Sequence, residues 1–324
     1  MKFNRKVVVT LGDPSGIGPE VFLKSLESNT VRENLEHILV VSDPMVLERL
    51  SGEINHNLKL HESEGFSDLK PNSINFFPMN GCNEYNLATP NQENANYILG
   101  CINKSIAMCI NDNANLVTGP VNKKLIANFE KNFTDHTSYL KITTEVDNVL
   151  MVLTSPKLTV GLLTTHLPLR EVADQVTQSN LTNAIKTFDK GLCDFFHIKK
   201  PRIAVLGLNP HCGEGGKFGH EEIEIISPLI NKLRLQGHRV EGPFSADTAF
   251  LDNKFDGILA MYHDQALPVI KTLDFSTTVN VTFGLPFLRT SVDHGTAYDI
   301  ANKLIANPAS MVEALKIAGY GKKI

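Results

Sequence analysis

The sequence has no apolar run long enough for a bilayer. Roughly 18–20 consecutive apolar residues are needed to cross one, and the runs at 149–153 and 158–163 are only strand-length. It has no cationic surplus either: 31 Lys and Arg stand against 35 Asp and Glu, a net charge of −4. A nucleic-acid partner is therefore not expected, because binding one requires a concentrated positive face that displaces counterions from phosphates. The five cysteines (82, 101, 109, 193 and 212) are odd in number and contain no CxxC, a pattern that fits a reducing cytoplasm. The basic start, Met1 to Lys6, is followed only by Val7-Val8-Val9 before Gly12-Asp13. A signal peptide needs a longer apolar stretch, so secretion is not expected. Repeats, low-complexity tracts and a visible linker are also missing. What remains is 324 residues, 42% of them apolar, enough for one large or two medium domains with an unstapled core. The expectation is a mildly acidic cytoplasmic protein of two domains, a class made up mostly of enzymes.

Short β-branched runs recur at 6–11, 37–42, 115–118, 148–154, 158–164, 202–208, 256–261 and 278–282. Several are apolar on both parities, as strands covered on both faces must be. Between them lie helical stripes, such as Ile98, Cys101, Ile102, Ser105, Ile106 and Cys109. Ile223, Ile226, Ile230 and Leu233 predict a helix over 221–236 that stops at Gly237, and 311–317 predicts a terminal helix. The alternation predicts an α/β fold with a mostly parallel sheet and crossover helices. Residues 55–96, rich in Asn, Glu and Ser, read as a small ribbon or a long loop. The basic run Lys199-Lys200-Pro201-Arg202 reads as a solvated turn.

Chemistry concentrates around the histidines. Of the eleven, His37, His56, His61, His197 and His238 have ordinary neighbours and read as structural. The other six (His136, His166, His211, His220, His263 and His294) sit in loops crowded with Gly, Pro, Asp and Thr. His166, His211 and His263 each fall just past a predicted strand, and open α/β sheets bind ligands beyond the carboxyl ends of their strands. Three such imidazoles converging on one crevice would form a metal site with open positions. From the residues alone, each is equally well explained as a hydrogen-bonded loop histidine. Their separations of 45 and 52 residues match no local zinc motif.

Gly12-Asp13-Pro14-Ser15-Gly16-Ile17-Gly18-Pro19-Glu20 follows an apolar strand and leads into a helix, with Pro19 suited to its first position. Such a helix start attracts anions, but the spacing fits neither the dinucleotide fingerprint nor a Walker A loop. Thr118-Gly119-Pro120-Val121-Asn122-Lys123 forms a second such turn, with Lys123 able to meet an anion. The segment 209–222 holds four glycines, two histidines and three glutamates, a bias typical of functional loops. Lys271, Asn280 and Arg289 together could clamp a phosphate or carboxylate.

These segments resemble the 4-hydroxythreonine-4-phosphate dehydrogenases, NAD-dependent enzymes of pyridoxal phosphate biosynthesis. The resemblance covers 12–20, 118–123, 135–140, 206–222, 242–250, 262–268 and 290–301. Two segments, 16–20 and 294–301, also resemble the wider group of isocitrate and isopropylmalate dehydrogenases, which bind their cofactor without a Rossmann fingerprint. The implied fold is isocitrate/isopropylmalate dehydrogenase-like: two α/β domains with an active-site cleft between them. Residues 1–130 plus 255–324 would form the cofactor side, and 131–254 the substrate, metal and dimerisation side.

The resemblance makes His166, His211 and His263 ligands of a divalent metal, contributed across a homodimer interface. Zinc, magnesium, cobalt and manganese are the candidates, and three imidazoles lean towards zinc and cobalt. It makes His136, Thr137, Lys271, Asn280 and Arg289 substrate-binding residues, and Gly295, Thr296, Ala297 and Asp299 the adenosine site of NAD. Asp299 would accept from the ribose hydroxyls and so favour NAD over NADP. Tyr298 and Asn302 stand where the family pattern has a smaller apolar residue and a glycine. The implied reaction oxidises 4-phosphooxy-L-threonine to 2-amino-3-oxo-4-phosphooxybutanoate, which decarboxylates to 3-amino-2-oxopropyl phosphate. Asp247 and Lys271 are the candidate proton carriers. Rival readings are a dehydrogenase of a related acid such as 4-phospho-threonate, a metal-dependent phosphohydrolase, and a non-catalytic phosphometabolite binder.

Overall fold

Strands form where the sequence places apolar residues on both faces. The computed structural model describes residues 2–54, 57–251 and 254–321. In chain order its strands are β1 (Val7–Thr10), β2 (Ile38–Ser42), β3 (Lys59–Glu62), β4 (Ser73–Pro78), β5 (Asn115–Thr118) and β6 (Leu150–Thr154). They continue as β7 (Thr159–Leu162), β8 (Ile203–Leu206), β9 (Val240–Phe244), β10 (Gly257–Ala260), β11 (Val279–Phe283) and β12 (Arg289–Ser291). Every residue of β1, β2, β5, β8 and β10 is buried, as two-faced coverage requires.

The chain divides into two compact units. The first runs to Glu145 and resumes at Leu285; the second is Val146–Gly284. In the first, the strand order is β3-β4-β2-β1-β5-β12, and all neighbours are parallel. The helices Ala95–Asp112 and Ala309–Tyr320 pack on this sheet. The predicted stripe Ile98, Cys101, Ile102, Ser105, Ile106 and Cys109 is buried along the first of them. The left-handed residues Asn113 and Gly321 end the two helices. In the second unit the order is β11-β6-β7-β10-β8-β9; β11, β6 and β7 alternate in direction, and the rest run parallel. Its core packs Leu153, Val160, Leu206, Ile258 and Ala260 against Ala266, Leu267 and Ile270 of the helix His263–Leu273.

All eight predicted strands are present, and the structure adds four more. The 55–96 stretch carries β3 and β4, a parallel pair at the sheet edge and not a ribbon or a bare loop. The helix predicted over 221–236 breaks into a wide π turn, Glu222–Ile226, and the α-helix Ser227–Leu235. Pro228 lacks the N–H that would have carried an α ladder through this point. The division of the chain also moves. Residues 257–283 belong to the second unit, not with 1–130, because β10 pairs with β7 and β8, and β11 pairs with β6. Residues 131–145 belong to the first unit. No described helix is long and apolar enough to cross a membrane. His56 lies outside the described residues.

Candidate active site

In the first unit, the turns after β1 and β5 meet backbone to backbone. The Asp13 amide donates to the Pro120 carbonyl at 3.0 Å, and the Gly119 amide donates to the Thr10 carbonyl at 2.7 Å. A Cβ on Gly12, which has φ +82°, would lie 2.1 Å from the Pro120 oxygen; one on Gly119 would lie 2.2 Å from the Leu11 oxygen. Two of the glycines that suggested a phosphate cradle thus serve this close approach. Pro19 occupies the start of the helix Gly18–Ser25, as its fixed φ suggests.

The second turn lines a cavity of about 340 Å³, bounded by Thr118, Lys123, His136, Arg289, Asp293, His294 and their neighbours. Arg289 opens β12 and is 5% exposed. Its Nε and Nη2 donate to the Thr118 hydroxyl at 3.1 and 2.9 Å, and its Nη1 reaches the Thr137 hydroxyl at 3.4 Å. Burial pulls its guanidinium down to about 10. His136 begins the helix His136–Thr143, whose N-cap Asp135 accepts from the Ser138 amide and hydroxyl. Its ring packs edge-on against Phe133. Burial, then the charge of Arg289, pulls the imidazole down to about 3, so it is neutral at ordinary pH. Its Nε2 is enclosed with no protein partner among the described residues. A buried cation, a neutral imidazole with an unmet nitrogen, and Lys123 make this a pocket suited to an anion.

Beside it runs the loop that carries Gly295, Thr296, Ala297 and Asp299. The Ile17 amide donates to the Thr296 carbonyl at 3.0 Å, which fastens this loop to the first turn. Tyr298 donates from its hydroxyl to Asp13 Oδ2 at 2.5 Å. Asp13 is buried, and burial raises its carboxyl above the usual range. The larger residue at 298 therefore ties two turns together. Asp299 is exposed, and His294 Nε2 is buried without a protein partner among the described residues. These features fit a nucleotide lying along this loop.

In the second unit, His166, His263 and His211 follow β7, β10 and β8, three adjacent parallel strands. Gln265 fastens two of the strand ends, accepting from the Met261 amide and donating to the Gly207 carbonyl, both at 2.7 Å. The rings of His166 and His263 lie 5.8 Å apart. His263 Nδ1 meets Asp264 Oδ1 at 2.6 Å, which would leave Nε2 to face a metal. His211 does not join them. Its Nδ1 faces Asp247 Oδ2 at 3.9 Å, and both side chains are exposed. Among the described residues no group of three or more His, Cys, Asp or Glu is placed to hold a metal within one chain. The donors nonetheless suit a divalent metal: three imidazoles at strand ends, two of them facing carboxylates. The Ser245 hydroxyl holds the Asp247 carboxyl below the usual range. Lys271 lies on the helix His263–Leu273 and Asn280 on β11, both in this second unit. The Asn280 Oδ1 is buried without a protein partner among the described residues. Thr118 and the Tyr298–Asp13 bond were not visible in the sequence, since each depends on contacts between distant segments.

Together these features define an α/β protein with a cation-lined pocket and a row of strand-end imidazoles. The profile of the family described as pyridoxal phosphate biosynthetic protein PdxA matches residues 34–318. A 4-hydroxythreonine-4-phosphate dehydrogenase of Xylella fastidiosa (strain 9a5c) is 37% identical over 307 residues, 94% of this chain and 92% of that protein. The crystal structure of a 4-hydroxythreonine-4-phosphate dehydrogenase from Klebsiella pneumoniae superposes with a TM-score of 0.89. It is 34% identical over 97% of this chain and 98% of that one. The enzyme of that name from Burkholderia phymatum also gives 0.89, at 32% identity over 99% of both chains. The chain belongs to the PdxA family.

Proposed function

We propose that the protein oxidises the C3 hydroxyl of 4-phosphooxy-L-threonine with NAD, giving 2-amino-3-oxo-4-phosphooxybutanoate, which loses carbon dioxide to form 3-amino-2-oxopropyl phosphate. This is a step towards pyridoxine 5'-phosphate, and the names of its relatives support it. The observation that carries the reading is the pocket around Arg289, because it suits a phosphate monoester. The Thr118 and Thr137 hydroxyls hold the guanidinium in place, so its charge is oriented before the substrate arrives. Lys123 adds a second positive charge, and the neutral His136 offers a hydrogen bond from its unmet nitrogen. Lys271 and Asn280 are the further substrate-binding residues by resemblance.

His166, His211 and His263 would hold the metal, the set being completed between two copies of the chain in a homodimer. A divalent metal there supplies Lewis-acid polarisation of the reacting oxygen. Gly295, Thr296, Ala297 and Asp299 would hold NAD, which supplies the hydride acceptor, and the Asp299 carboxylate favours it over NADP. Asp247 Oδ2, ionised at neutral pH and facing His211, can take up a proton; Lys271 is the other proton carrier. The test is NADH formation with 4-phosphooxy-L-threonine and, separately, with 4-phospho-threonate, each with a divalent metal. Faster turnover of the first is the expected result. Preference for the second would reassign the substrate, and phosphate release without NADH would overturn the dehydrogenase reading.

A further inference from the structure

The loop that presents His211 has a backbone that few sequences adopt. From His211 to Gly215 every residue is left-handed, with φ of 51°, 53°, 74°, 45° and 69°. His211, Cys212 and Glu214 adopt it without being glycine. Such a conformation persists only where the surroundings fix it. The fixing group is Glu222, a carboxylate 2% exposed at the first position of the π turn. Its Oε1 accepts from the Leu208 and Asn209 amides at 2.7 and 2.8 Å. Its Oε2 accepts from the Asn209 side-chain amide at 3.0 Å, and the same amide donates to Glu221 Oε2 at 2.7 Å. The left-handed turn folds directly over this carboxylate: a Cβ on Gly213 would lie 2.8 Å from Oε2. One buried charge therefore gathers three donors from the segment immediately before His211 and lies against the segment immediately after it.

From this geometry we infer that Glu222 is the positioning residue of His211, setting the direction in which that imidazole faces a metal. The inference rests on the reading of His211 as a ligand. Glu222 stands at the first position of a π turn, a rare wide turn that occurs frequently at functional sites. The role differs from ordinary loop stability. It predicts a loss of metal affinity out of proportion to any loss of fold.

The experiment titrates metal-free protein with cobalt(II) and follows the visible d–d absorption. It compares the wild type with Glu222→Ala, Glu222→Gln, His211→Ala and a core control, Leu229→Ala. Leu229 is buried in the helix Ser227–Leu235 and is not part of the loop. Removing a group that orients a ligand typically weakens metal binding about 10–100-fold, and this is the loss expected for Glu222→Ala. Glu222→Gln keeps the acceptor for the two backbone amides and should lose less. Leu229→Ala should lower the thermal midpoint and leave cobalt affinity unchanged. Amide exchange at Leu208 and Asn209 should accelerate in Glu222→Ala alone. If Glu222→Ala fails to fold, Asn209→Ala, which removes one donor, replaces it and should weaken cobalt several-fold.

Wild-type affinity in Glu222→Ala, or in Asn209→Ala where it stands in, overturns the positioning role and leaves the metal reading intact. A cobalt loss in Leu229→Ala equal to that in Glu222→Ala reduces Glu222 to a stability residue and also overturns the role. A wild-type protein whose cobalt spectrum does not depend on His211 overturns the metal reading, and the positioning role with it.

Discussion

His136 in the first unit is 7% exposed and has an unmet ring nitrogen, whereas the His211 side chain in the second is 68% exposed. The first is held by a capped helix, packs on an aromatic ring and stands beside a buried guanidinium. The second stands on a left-handed loop with one carboxylate 3.9 Å away. The contrast separates an enclosed pocket from an open row of side chains. A neutral imidazole enclosed beside a buried cation is preorganised for an anion. The imidazoles at the strand ends of the second unit form no three-ligand group among the described residues of one chain. The component proposed to complete them is a second copy of the same chain.

The largest effect expected is on the open side. His211→Ala should abolish metal-dependent turnover while circular dichroism and the thermal midpoint stay near those of the wild type, because the side chain buries little. Full activity in metal-replete buffer would remove the three histidines from the mechanism. On the closed side, Arg289→Met should lower kcat/KM by about 100- to 1,000-fold, as loss of a buried, hydrogen-bonded charge at a ligand does. The loss should fall mainly on the phosphate-bearing part of the substrate. Equal kcat/KM values for the variant and the wild type would move the anion site elsewhere.

A smaller effect separates the two environments by pH. His136 has a folded pKa of about 3 against an ordinary 6.5, so the unfolded chain takes up the proton first as the solution is acidified. Its contribution to stability is full above pH 6.5 and is lost as the pH falls towards about 3. The slope for one proton is about 1.4 kcal/mol per pH unit. His136→Asn should flatten that part of the profile, measured by urea unfolding at a series of pH values. An unchanged profile in His136→Asn would contradict the enclosure. The smallest effect belongs to the turn contact: Tyr298→Phe removes one hydrogen bond, typically about 0.5–1.5 kcal/mol. It should raise the KM for NAD a few-fold with kcat nearly constant.

The difference between the units also explains which features are legible in the sequence. β8 and β10 are apolar throughout, and β1, β2 and β5 carry polar residues only at their ends, so their burial was legible in the sequence. β3 alternates polar residues at an edge, β12 is three residues long and opens on a buried arginine, and β9 contains Gly242-Pro243. None of the three carries the apolar signal of a strand. The strand-end positions of His166, His211 and His263 were visible because each follows a legible strand. Whether the rings close on one point depends on loop geometry, which periodicity does not encode. In the first unit, Lys123 and Arg289 already read as able to meet an anion and His136 was named by resemblance, but Thr118 gains its role as the partner of Arg289 from folding that joins residues far apart in the chain. Glu222 read only as one acid among several in a biased loop. Its burial under the His211 turn is a three-dimensional fact.

The proposed completion of the metal site, with His211 of one copy joining His166 and His263 of another, is tested directly by subunit complementation. His211→Ala and His263→Ala proteins, each inactive alone, are mixed, dissociated and reassembled, and NADH formation is measured. If His211 and His263 of one site come from different chains, half of the sites in each mixed dimer regain all three histidines. Random mixing then restores about a quarter of wild-type activity. If both come from the same chain, every site in the mixture lacks a histidine. Activity no higher than that of either variant alone would contradict the account.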